Sequence, residues 1–306
     1  MTPDPLQPLR HLCTSPSAAT RWACILEATA PKAGNVFPGR SFIDLCHSDF
    51  VVAAELTSQC FNRNATRISE RMLNSITQVH EQRGTNVNLG IVLLLGPLVA
   101  ADEAMHGMRS TGEQVTCCSS RVSVLADWIA PVRNALDQFD SLDGSNIFRA
   151  IEVASAGGLG TAEKMDVNQA HQKIDILEAM VLARDHDQIA TQYSTGFEEL
   201  ILDITPILLD SIRTTGNVLH GICHAQIRLL ARSPDTLIAR KNGKQVAHEV
   251  QNRAKSVDPL DATQVDSLDK YLRSNGHRLN PGTTADLLAA SLYLLLRTNP
   301  MENDHE

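Results

Sequence analysis

The sequence predicts an all-α protein with a single domain of roughly ten or more helices. Apolar residues recur at helical spacing along most of the 306 residues. Alternating runs of Val, Ile, Thr and Tyr between hairpin turns are nearly absent, and aromatic residues make up only 4%, so strands are not predicted. No repeat or low-complexity linker divides the chain. We therefore expect one all-helical domain over 18–298, between a flexible N-terminal segment, 1–17, and a flexible C-terminal tail, 299–306.

Helix-breaking residues delimit the predicted helices of the first half. Pro31 ends the first and Gly84 ends the third, since proline interrupts a helix and glycine favours its C-terminal cap. Pro97 lies inside an apolar run and predicts a kink or a break there. Apolar spacing and these stops predict helices over 19–30, 48–61, 68–83, 88–106, 121–139 and 147–156.

The second half continues in the same pattern and ends with an apolar helix. Thr283 and Asp286 are spaced as a capping box, which predicts the start of that last helix. The long apolar helices are able to pack within one chain or across a homodimer, and both arrangements stay open. The predicted helices cover 172–193, 197–212, 217–232, two polar helices within 244–274, and 284–297.

Composition and charge exclude several classes of protein. The net charge of −8 argues against a broad basic surface for nucleic acid. The longest apolar stretch, 90–101, is shorter than the ~20 residues of a membrane-spanning helix, and the proline-rich N-terminus lacks a signal peptide's apolar run. Seven cysteines without a C-x-x-C pair predict neither a disulfide framework nor a zinc site. We expect a soluble, reduced, cytoplasmic protein.

The nucleotide-binding motifs of α/β proteins are also missing. Without strands there is no strand–turn–helix context for a P-loop or a Rossmann fingerprint. Gly157, Gly158 and Gly160 do not have the G-x-G-x-x-G spacing. A helical protein that handles phosphates must use helix N-termini, basic side chains and magnesium instead.

Four connections carry more polar side chains than solvated loops need: 27–50, 84–90, 233–243 and 280–286. Taken singly, each is also explained by helix caps and solvated helix ends. The first combines a lysine, an arginine, glycines and spaced acids. Together the four supply the Asp, Asn, Thr, Lys and Arg side chains that a nucleotide site in a helical protein requires.

These stretches, in this order, resemble motifs of the triphosphoribosyl-dephospho-CoA synthase family. They read PKAGNV…FIDLCHSDF, TNVNLG, SPDTLIARKNG and LNPGTTADLL, and the resemblance spans about residues 20 to 297. It implies an all-helical transferase in which the 2'-hydroxyl of 3'-dephospho-CoA displaces adenine from C1 of the ATP ribose. The product is the precursor of the citrate- or malonate-lyase prosthetic group.

Departures from the family's motifs indicate a divergent, less-characterised branch, in which the stretches 157–167 and 184–193 also occur. The family's Asn-Thr-His-Lys-Gly is Asn-Val-Asn-Leu-Gly at 86–90, so a hydroxyl, an imidazole and an ammonium are replaced. The acceptor is therefore open between 3'-dephospho-CoA and another compound, such as a pterin-type one-carbon carrier in cofactor biosynthesis. A non-catalytic helical nucleotide-binding protein is a third alternative.

The resemblance implies magnesium as cofactor, with ATP as substrate. Magnesium prefers one or two carboxylates together with phosphate oxygens. Cationic side chains would neutralise the remaining triphosphate charge. The candidate metal ligands are Asp44, Asp49 and Asp235, and the candidate cationic contacts are Lys32, Arg240 and Lys241.

Such a reaction passes through an oxocarbenium-like carbon, as in glycoside hydrolysis. The acceptor hydroxyl needs a general base and the leaving adenine a proton, and a nearby carboxylate contributes ~10²–10⁴-fold to either. Asp286, Asp235 and Glu27 are the candidate catalytic carboxylates, with their individual roles open. The residues expected to orient ribose and phosphate oxygens are Gly34, Asn35, Asn86, Asn88, Thr236, Asn280, Gly282, Thr283 and Thr284.

Overall fold

The computed structural model describes residues 4–62, 66–84, 87–107, 124–156 and 175–298. Fifteen α-helices lie in these ranges, so the predicted all-α class is confirmed. An isolated strand-type bridge joins Phe37 and Arg40. No helix of the described chain is long and apolar enough to cross a membrane. Asn86, the glycines at 157–160 and the tail 299–306 lie outside the described residues.

Seven helices make up the first half of the chain. Ser15 caps α2 by accepting a hydrogen bond from the Ala18 amide, and Gly84, with φ of +65°, ends α4 as predicted. A short 3-10 turn, Leu125–Trp128, leads into α6. The helices are α1 (Gln7–Leu12), α2 (Pro16–Thr29), α3 (His47–Phe61), α4 (Ile68–Arg83), α5 (Leu89–Gly107), α6 (Ile129–Asp137) and α7 (Ser141–Ala156).

Eight helices make up the second half. Five of them begin at an Asp or Asn whose side chain accepts backbone hydrogen bonds, namely Asp175, Asp187, Asn217, Asp235 and Asp261. Such caps satisfy amides that have no partner within the helix. The helices are α8 (Ile176–Ala183), α9 (Gln188–Thr195), α10 (Thr205–Thr215), α11 (Val218–Arg232), α12 (Thr236–Asn242), α13 (Lys244–Lys255), α14 (Ala262–Arg273) and α15 (Gly282–Arg297).

Two helices predicted as continuous are divided in the structure. The segment 172–193 contains α8 and α9, because Asp187 accepts a hydrogen bond from the Ile189 amide at 2.8 Å and starts a new helix. The segment 197–212 begins with a π-helical turn, Leu200–Ile204, before α10. Apolar spacing alone does not show either division, since the apolar stripe continues through both.

The two ends of the chain also differ from prediction. Residues 7–12, predicted as part of a flexible segment, form α1, whose buried Arg10 donates from Nε to the Leu295 carbonyl at 3.0 Å. The last helix begins at Gly282, so Thr283 lies inside its first turn and the predicted capping box is wrong. The N-cap residue of α15 is Pro281, whose side chain cannot accept a hydrogen bond from the first turn.

The core is centred on α15, of which 14 of 16 residues are buried. Its far end is tied to α5 by Asp102, which accepts hydrogen bonds from Arg297 Nε and Tyr293 Oη, both at 2.6 Å. A buried charge is tolerated when it is paired and hydrogen-bonded in this way. Near its start, α15 packs against Gly90 of α5. The two helices therefore run side by side in the same direction, and their N-terminal ends lie together.

Pro97 does not break α5, contrary to one of the two predicted outcomes. Proline lacks the amide that would bond to the carbonyl four residues earlier, which here belongs to Leu93. The buried Tyr193 of α9 donates its hydroxyl to that carbonyl at 2.7 Å. A side chain of a neighbouring helix thus replaces the missing bond, and the helix continues through the proline.

Candidate active site

A cavity of about 670 Å³ lies where the N-terminal ends of α5, α9 and α15 meet the end of α2 and α12. This volume falls within the ~300–1,000 Å³ typical of small-molecule sites. Helices α5, α7, α8 and α9 contribute mainly apolar side chains to it. The polar residues that line it are Glu27, Asn35, Asp44, Asn88, Asp187, Arg240, Lys241, His277, Asn280, Thr283 and Asp286.

Asp286 lies near the start of α15 and lines this cavity. Gly90 makes room for its carboxyl group, because a Cβ atom at residue 90 would stand 2.0 Å from Asp286 Oδ2. Within the described part of the chain, no hydrogen bond or ion pair reaches this carboxyl group. The fold therefore leaves it available to a bound molecule.

Burial raises the pKa of Asp286 well above its usual range, and the negative charges of Glu27, Asp235 and Asp187 raise it further. The positive charge of Arg240 acts in the opposite direction with a smaller effect. Desolvation and like charges both disfavour the ionised form of an acid. The electrostatics therefore favour a protonated Asp286, which is the form that a general acid needs.

Glu27, in the last turn of α2, lines the same cavity but has a counter-ion. Lys32 Nζ lies 2.9 Å from Glu27 Oε1, and it also donates to the main-chain carbonyls of Glu27 and, at 3.4 Å, of Ala30. Lys32 is fully buried and does not line the cavity, so the substrate contact predicted for it does not fit its position. It lies behind Glu27 and supplies the positive charge that pairs with this side chain.

Two cationic side chains, Arg240 and Lys241, reach the cavity from the last turn of α12. Arg240 Nη1 lies 3.6 Å from Oδ2 of Asp187, the residue that caps α9. Among the described residues, no ion pair reaches the Lys241 ammonium. Burial, and then the charge of Arg240, lower the pKa of Lys241. A half-buried ammonium without a counter-ion favours an anionic ligand such as a phosphate.

Asp235 joins α12 to α15 and does not line the cavity. Its Oδ1 accepts from the Ile238 amide at 3.0 Å, and its Oδ2 accepts from the amide and the hydroxyl of Thr284, both at 2.8 Å. Only 1% of the residue is exposed. Both oxygens are engaged by protein donors, so the catalytic and metal-binding roles predicted for Asp235 do not fit its position. It orients the helix that carries the two cations.

The other two predicted metal ligands are placed differently from each other. Asp44 lines the cavity, is 62% exposed and lies 3.3 Å from His277 Nδ1. Asp49 does not line the cavity, and its Oδ2 accepts from the Cys46 amide at 2.8 Å as part of the α3 capping box. Among the described residues, no three His, Cys, Asp or Glu side chains form a group that could hold a metal ion. A magnesium ion here would have to take most of its oxygens from substrate and water.

Gly34 and Asn35 are adjacent but play different parts. Gly34 has a φ of +75°, and a Cβ atom there would stand 2.7 Å from the Cβ of Leu272, so both the backbone and the packing require glycine. Its amide donates to Asp269 at 2.8 Å. Asn35 lines the cavity and donates from Nδ2 to Asn280 Oδ1 at 2.5 Å.

The remaining predicted binding residues divide between the cavity and the structure around it. Thr283, Gly282 and Asn88 line the cavity. Thr236 and Thr284 do not: the Thr236 hydroxyl donates to Thr283 Oγ1 at 3.1 Å, and Thr284 is bonded to the buried carboxylate that joins α12 to α15. Both side chains make their hydrogen bonds within the protein rather than at the cavity wall.

Sequence reasoning missed two polar residues of the cavity, Asp187 and His277. Asp187 lies in the stretch 184–193, which was singled out only as a feature of the branch. An aspartate that caps a helix cannot be told by pattern from one that also faces a ligand. His277 gave no signal, because it occurs in a polar segment without recognisable spacing. The apolar lining, including Leu89, was indistinguishable from ordinary core.

Comparisons with known proteins agree with this picture. Residues 13–305 match the family model described as CitG, ATP:dephospho-CoA triphosphoribosyl transferase. The fold is similar to a crystal structure from Archaeoglobus fulgidus, of a protein assigned as a triphosphoribosyl-dephospho-CoA synthase. The two chains are 24% identical with a TM-score of 0.61, over 81% of this chain and 98% of the archaeal one. No individually curated protein matches this chain significantly.

Proposed function

The chain belongs to the ATP:dephospho-CoA triphosphoribosyl transferase family, and from that premise we propose that its cavity transfers the 5-triphosphoribosyl group of ATP to the 2'-hydroxyl of 3'-dephospho-CoA. The family and the transferase class predicted from the motif order are thus confirmed. The roles of individual residues, the metal and the range of acceptors are the substance of the proposal. It uses residues of one chain, so it does not depend on the homodimer that the sequence left open.

The observation that carries the proposal is a pair of carboxyl groups that line one cavity but differ in their charged neighbours. Glu27 is ion-paired with Lys32 at 2.9 Å, whereas Asp286 has no protein partner among the described residues and a raised pKa. A carboxylate with a cationic partner suits a base, and an unpaired carboxyl group with a raised pKa suits an acid. We assign Glu27 as the general base and Asp286 as the general acid.

The triphosphate of ATP fits the part of the cavity formed by Arg240 and Lys241. The protein donor set suits magnesium only in combination with substrate oxygens, with Asp44 as the exposed carboxylate beside the cations. When bound, the ion would neutralise phosphate charge. Arg240 and Lys241 bind the remaining phosphate oxygens, and Asp187 holds Arg240 toward them.

In the proposed transfer, the hydroxyl oxygen of the acceptor forms a bond to C1' of the ATP ribose while the bond from C1' to N9 of adenine breaks. The hydroxyl proton passes to Glu27, and Asp286 gives its proton to the departing base, so adenine leaves neutral. Each transfer contributes ~10²–10⁴-fold. Exchange with water in the open cavity then returns both carboxyl groups to their starting forms.

A second candidate function keeps this chemistry and changes the acceptor. Val87 and Leu89 line the cavity at the two positions where the family's motif has threonine and lysine. An aliphatic side chain offers neither a hydrogen bond nor a positive charge to a phosphate-bearing acceptor. This observation favours a less anionic acceptor, such as a pterin-type carrier, over 3'-dephospho-CoA.

Adenine release tests both candidates. Purified protein is incubated with ATP and magnesium, with 3'-dephospho-CoA or a pterin-type acceptor or with none, and adenine is measured by chromatography. We expect adenine only when an acceptor is present, with a product whose mass equals the acceptor plus the triphosphoribosyl group. The acceptor that gives the higher kcat/KM identifies the candidate. ATP binding without adenine from either acceptor would favour a non-catalytic nucleotide-binding protein.

A cytoplasmic location is also proposed. ATP is abundant there, and the five cysteines of the described residues, of which Cys13, Cys24 and Cys60 are buried, are free thiols as in a reduced compartment. Fractionation of cells that express the tagged chain would test this, with recovery in the soluble cytoplasmic fraction as the expected result.

A further inference from the structure

We infer that Gln226, a buried residue of α11 that does not line the cavity, sets the orientation of the Asn280 amide so that it presents its NH₂ group to a phosphate of the substrate. Gln226 is thus a positioning residue for nucleotide binding. The identity of the anion rests on the proposed function, while the orientation itself rests on the hydrogen bonds alone.

Three side-chain amides form a directed chain between a backbone carbonyl and the cavity. Gln226 Nε2 donates to the carbonyl of Ala33 at 2.9 Å and to Asn35 Oδ1 at 2.6 Å. Asn35 Nδ2 then donates to Asn280 Oδ1 at 2.5 Å. Within the described part of the chain, no hydrogen bond from Asn280 Nδ2 occurs, and Asn280 lines the cavity.

The direction of this chain is fixed at its buried end. A backbone carbonyl only accepts, so the group of Gln226 that faces Ala33 must be the NH₂. The same nitrogen faces Asn35, which must therefore offer its oxygen and turn its own NH₂ toward Asn280. Asn280 receives that donor with its oxygen, and its NH₂ is left for the cavity. Reversing any one amide would place two donors or two acceptors together.

Burial makes the arrangement costly to change. Gln226 is 0% exposed, and its Oε1 has no hydrogen-bond partner in the described structure. A buried acceptor without a hydrogen bond costs about 1–3 kcal/mol of stability. Turning the Gln226 amide over would leave Oε1 facing two acceptors and would lose both hydrogen bonds that Nε2 donates. The backbone of Asn35 is held as well, because its carbonyl accepts from Arg273, which is paired with Asp269 at 2.7 Å.

The ligand of this NH₂ group is assigned from its neighbours. Arg278 donates to the Lys241 carbonyl at 3.1 Å and to Asn242 Oδ1 at 3.2 Å, and Asn242 donates back to the Arg278 carbonyl at 2.8 Å. These three bonds tie the segment before Asn280 to the end of α12 that carries the cavity's cations. A donor beside cations suits an oxygen of the triphosphate.

Asn280→Asp tests the donor. Aspartate has nearly the same shape and still accepts from Asn35, but it offers an oxygen to the cavity in place of NH₂. We expect ATP affinity, measured by calorimetry with magnesium and without acceptor, to fall roughly tenfold to a hundredfold, as for a lost charged hydrogen bond. A hydroxyl ligand would donate to the introduced carboxylate equally well, so unchanged affinity would overturn the phosphate assignment.

A double-mutant cycle tests the positioning role of Gln226. Gln226→Met should weaken ATP binding severalfold in the wild-type background and have no effect in Asn280→Asp, because an aspartate has two equal oxygens and no orientation to set. Asn35→Leu interrupts the chain at its middle without placing a second carboxylate beside residue 280 and should behave in the same way, which covers a failure of Gln226→Met to fold. If the fold-changes in ATP affinity of the single variants multiply in both double variants, the residues act independently and the inference is overturned.

Gln192→Met is the matched control. Gln192 is also 0% exposed and makes two hydrogen bonds, to Glu199 at 3.1 Å and from the Leu200 amide at 3.0 Å, but it does not contact Asn35. It should lower the melting temperature without changing ATP affinity. ATP binding is measured without acceptor and therefore does not depend on turnover. If Gln226 and Asn280 are coupled in ATP binding but the protein releases no adenine, the positioning role stands and the proposed transfer is rejected.

Discussion

The carboxyl group of Asp286 occupies the space that a side chain at residue 90 would fill, because a Cβ atom at Gly90 would stand 2.0 Å from Asp286 Oδ2. Gly90 and Asp286 are far apart in sequence, but the Asp286 carboxyl group can take its position only because residue 90 has no side chain. Glycine at the start of α5 lets α15 approach closely, and the carboxyl group is thereby placed at the cavity.

Gly90→Ala should therefore reduce turnover without unfolding the protein. Alanine in a helix is favoured over glycine by about 1 kcal/mol. The new Cβ atom would clash with the ends of two side chains, the Asp286 carboxyl group and Ile189 Cδ1 at 2.8 Å, and both can rotate away. We expect kcat for adenine release to fall at least tenfold, with an unchanged melting temperature.

The control for this change is Gly96→Ala in the same helix. Its Cβ would stand 2.4 Å from the sulfur of Met72, a flexible side chain that does not line the cavity. Comparable losses of activity in both variants would show that α5 packing in general, rather than the contact with Asp286, is responsible.

Asp286→Asn should stabilise the protein at neutral pH while removing activity. The folded protein binds the Asp286 proton more tightly than the unfolded chain, so the free energy of unfolding falls as pH rises from about 4 toward the raised folded-state pKa. Asparagine does not titrate and lacks this loss. Thermal melting at pH 4 and pH 7 should show the variant gaining stability over wild type as pH rises.

Asp261 provides the opposite sign for comparison. Hydrogen bonds from Gln264 and Thr263 lower the pKa of this exposed carboxyl group, so it adds stability above its unfolded pKa that is lost as pH falls. Asp261→Asn should therefore lose stability relative to wild type at pH 7. The same direction of change in both variants would contradict the pKa shift attributed to Asp286.

Asp235→Ala should destabilise the protein through two separate losses. Removing the α12 cap costs about 1 kcal/mol, and leaving the buried Thr284 amide without an acceptor costs about 1–3 kcal/mol more. Chemical denaturation should show the sum. Asp261→Ala, which removes only an exposed cap, should cost distinctly less. Equal losses for the two variants would show that the link from Asp235 to α15 contributes nothing.

Lys241→Met should weaken ATP binding roughly tenfold, because it removes a charged hydrogen-bond donor. Burial lowers the pKa of Lys241, so wild-type ATP affinity should also decline as pH rises through that lowered value, below the range where an ordinary lysine titrates. Calorimetry from pH 7 to pH 10 should show this decline in wild type and not in the variant. Lys244→Met, at an exposed position, is the control, and an equal effect there would reject a specific contact.

The sequence was sufficient for the fold class and for most helix boundaries, because apolar periodicity and breaking residues such as Gly84 act locally. It failed where a distant partner decides the outcome. Pro97 is accommodated by the hydroxyl of Tyr193, almost a hundred residues away in sequence, and no local pattern shows that partner. The division before α9 depends on one side chain, that of Asp187, which the apolar stripe does not reveal.

The candidate site could be predicted only in part, because the positions of its side chains also depend on partners that are distant in sequence. Residue types pointed to Glu27, Asp286 and the cations of α12, which line the cavity, but they could not separate a side chain that faces the cavity from one turned into the structure beside it. Lys32 and Asp235 have side chains of the type that a substrate site needs, but protein partners occupy both. Lys32 is paired with Glu27, and Asp235 accepts a hydrogen bond from the Thr284 amide. Distances across the fold, which sequence spacing does not contain, decide between these cases.

The most direct test of the account is the rate of acceptor-dependent adenine release from ATP in Glu27→Gln and Asp286→Asn, compared with wild type under the same conditions. If these two carboxyl groups are the base and the acid, each variant should lose roughly a hundredfold or more in kcat while its affinity for ATP stays close to that of wild type. Wild-type turnover in either variant would contradict the assignment of acid–base catalysis to this pair.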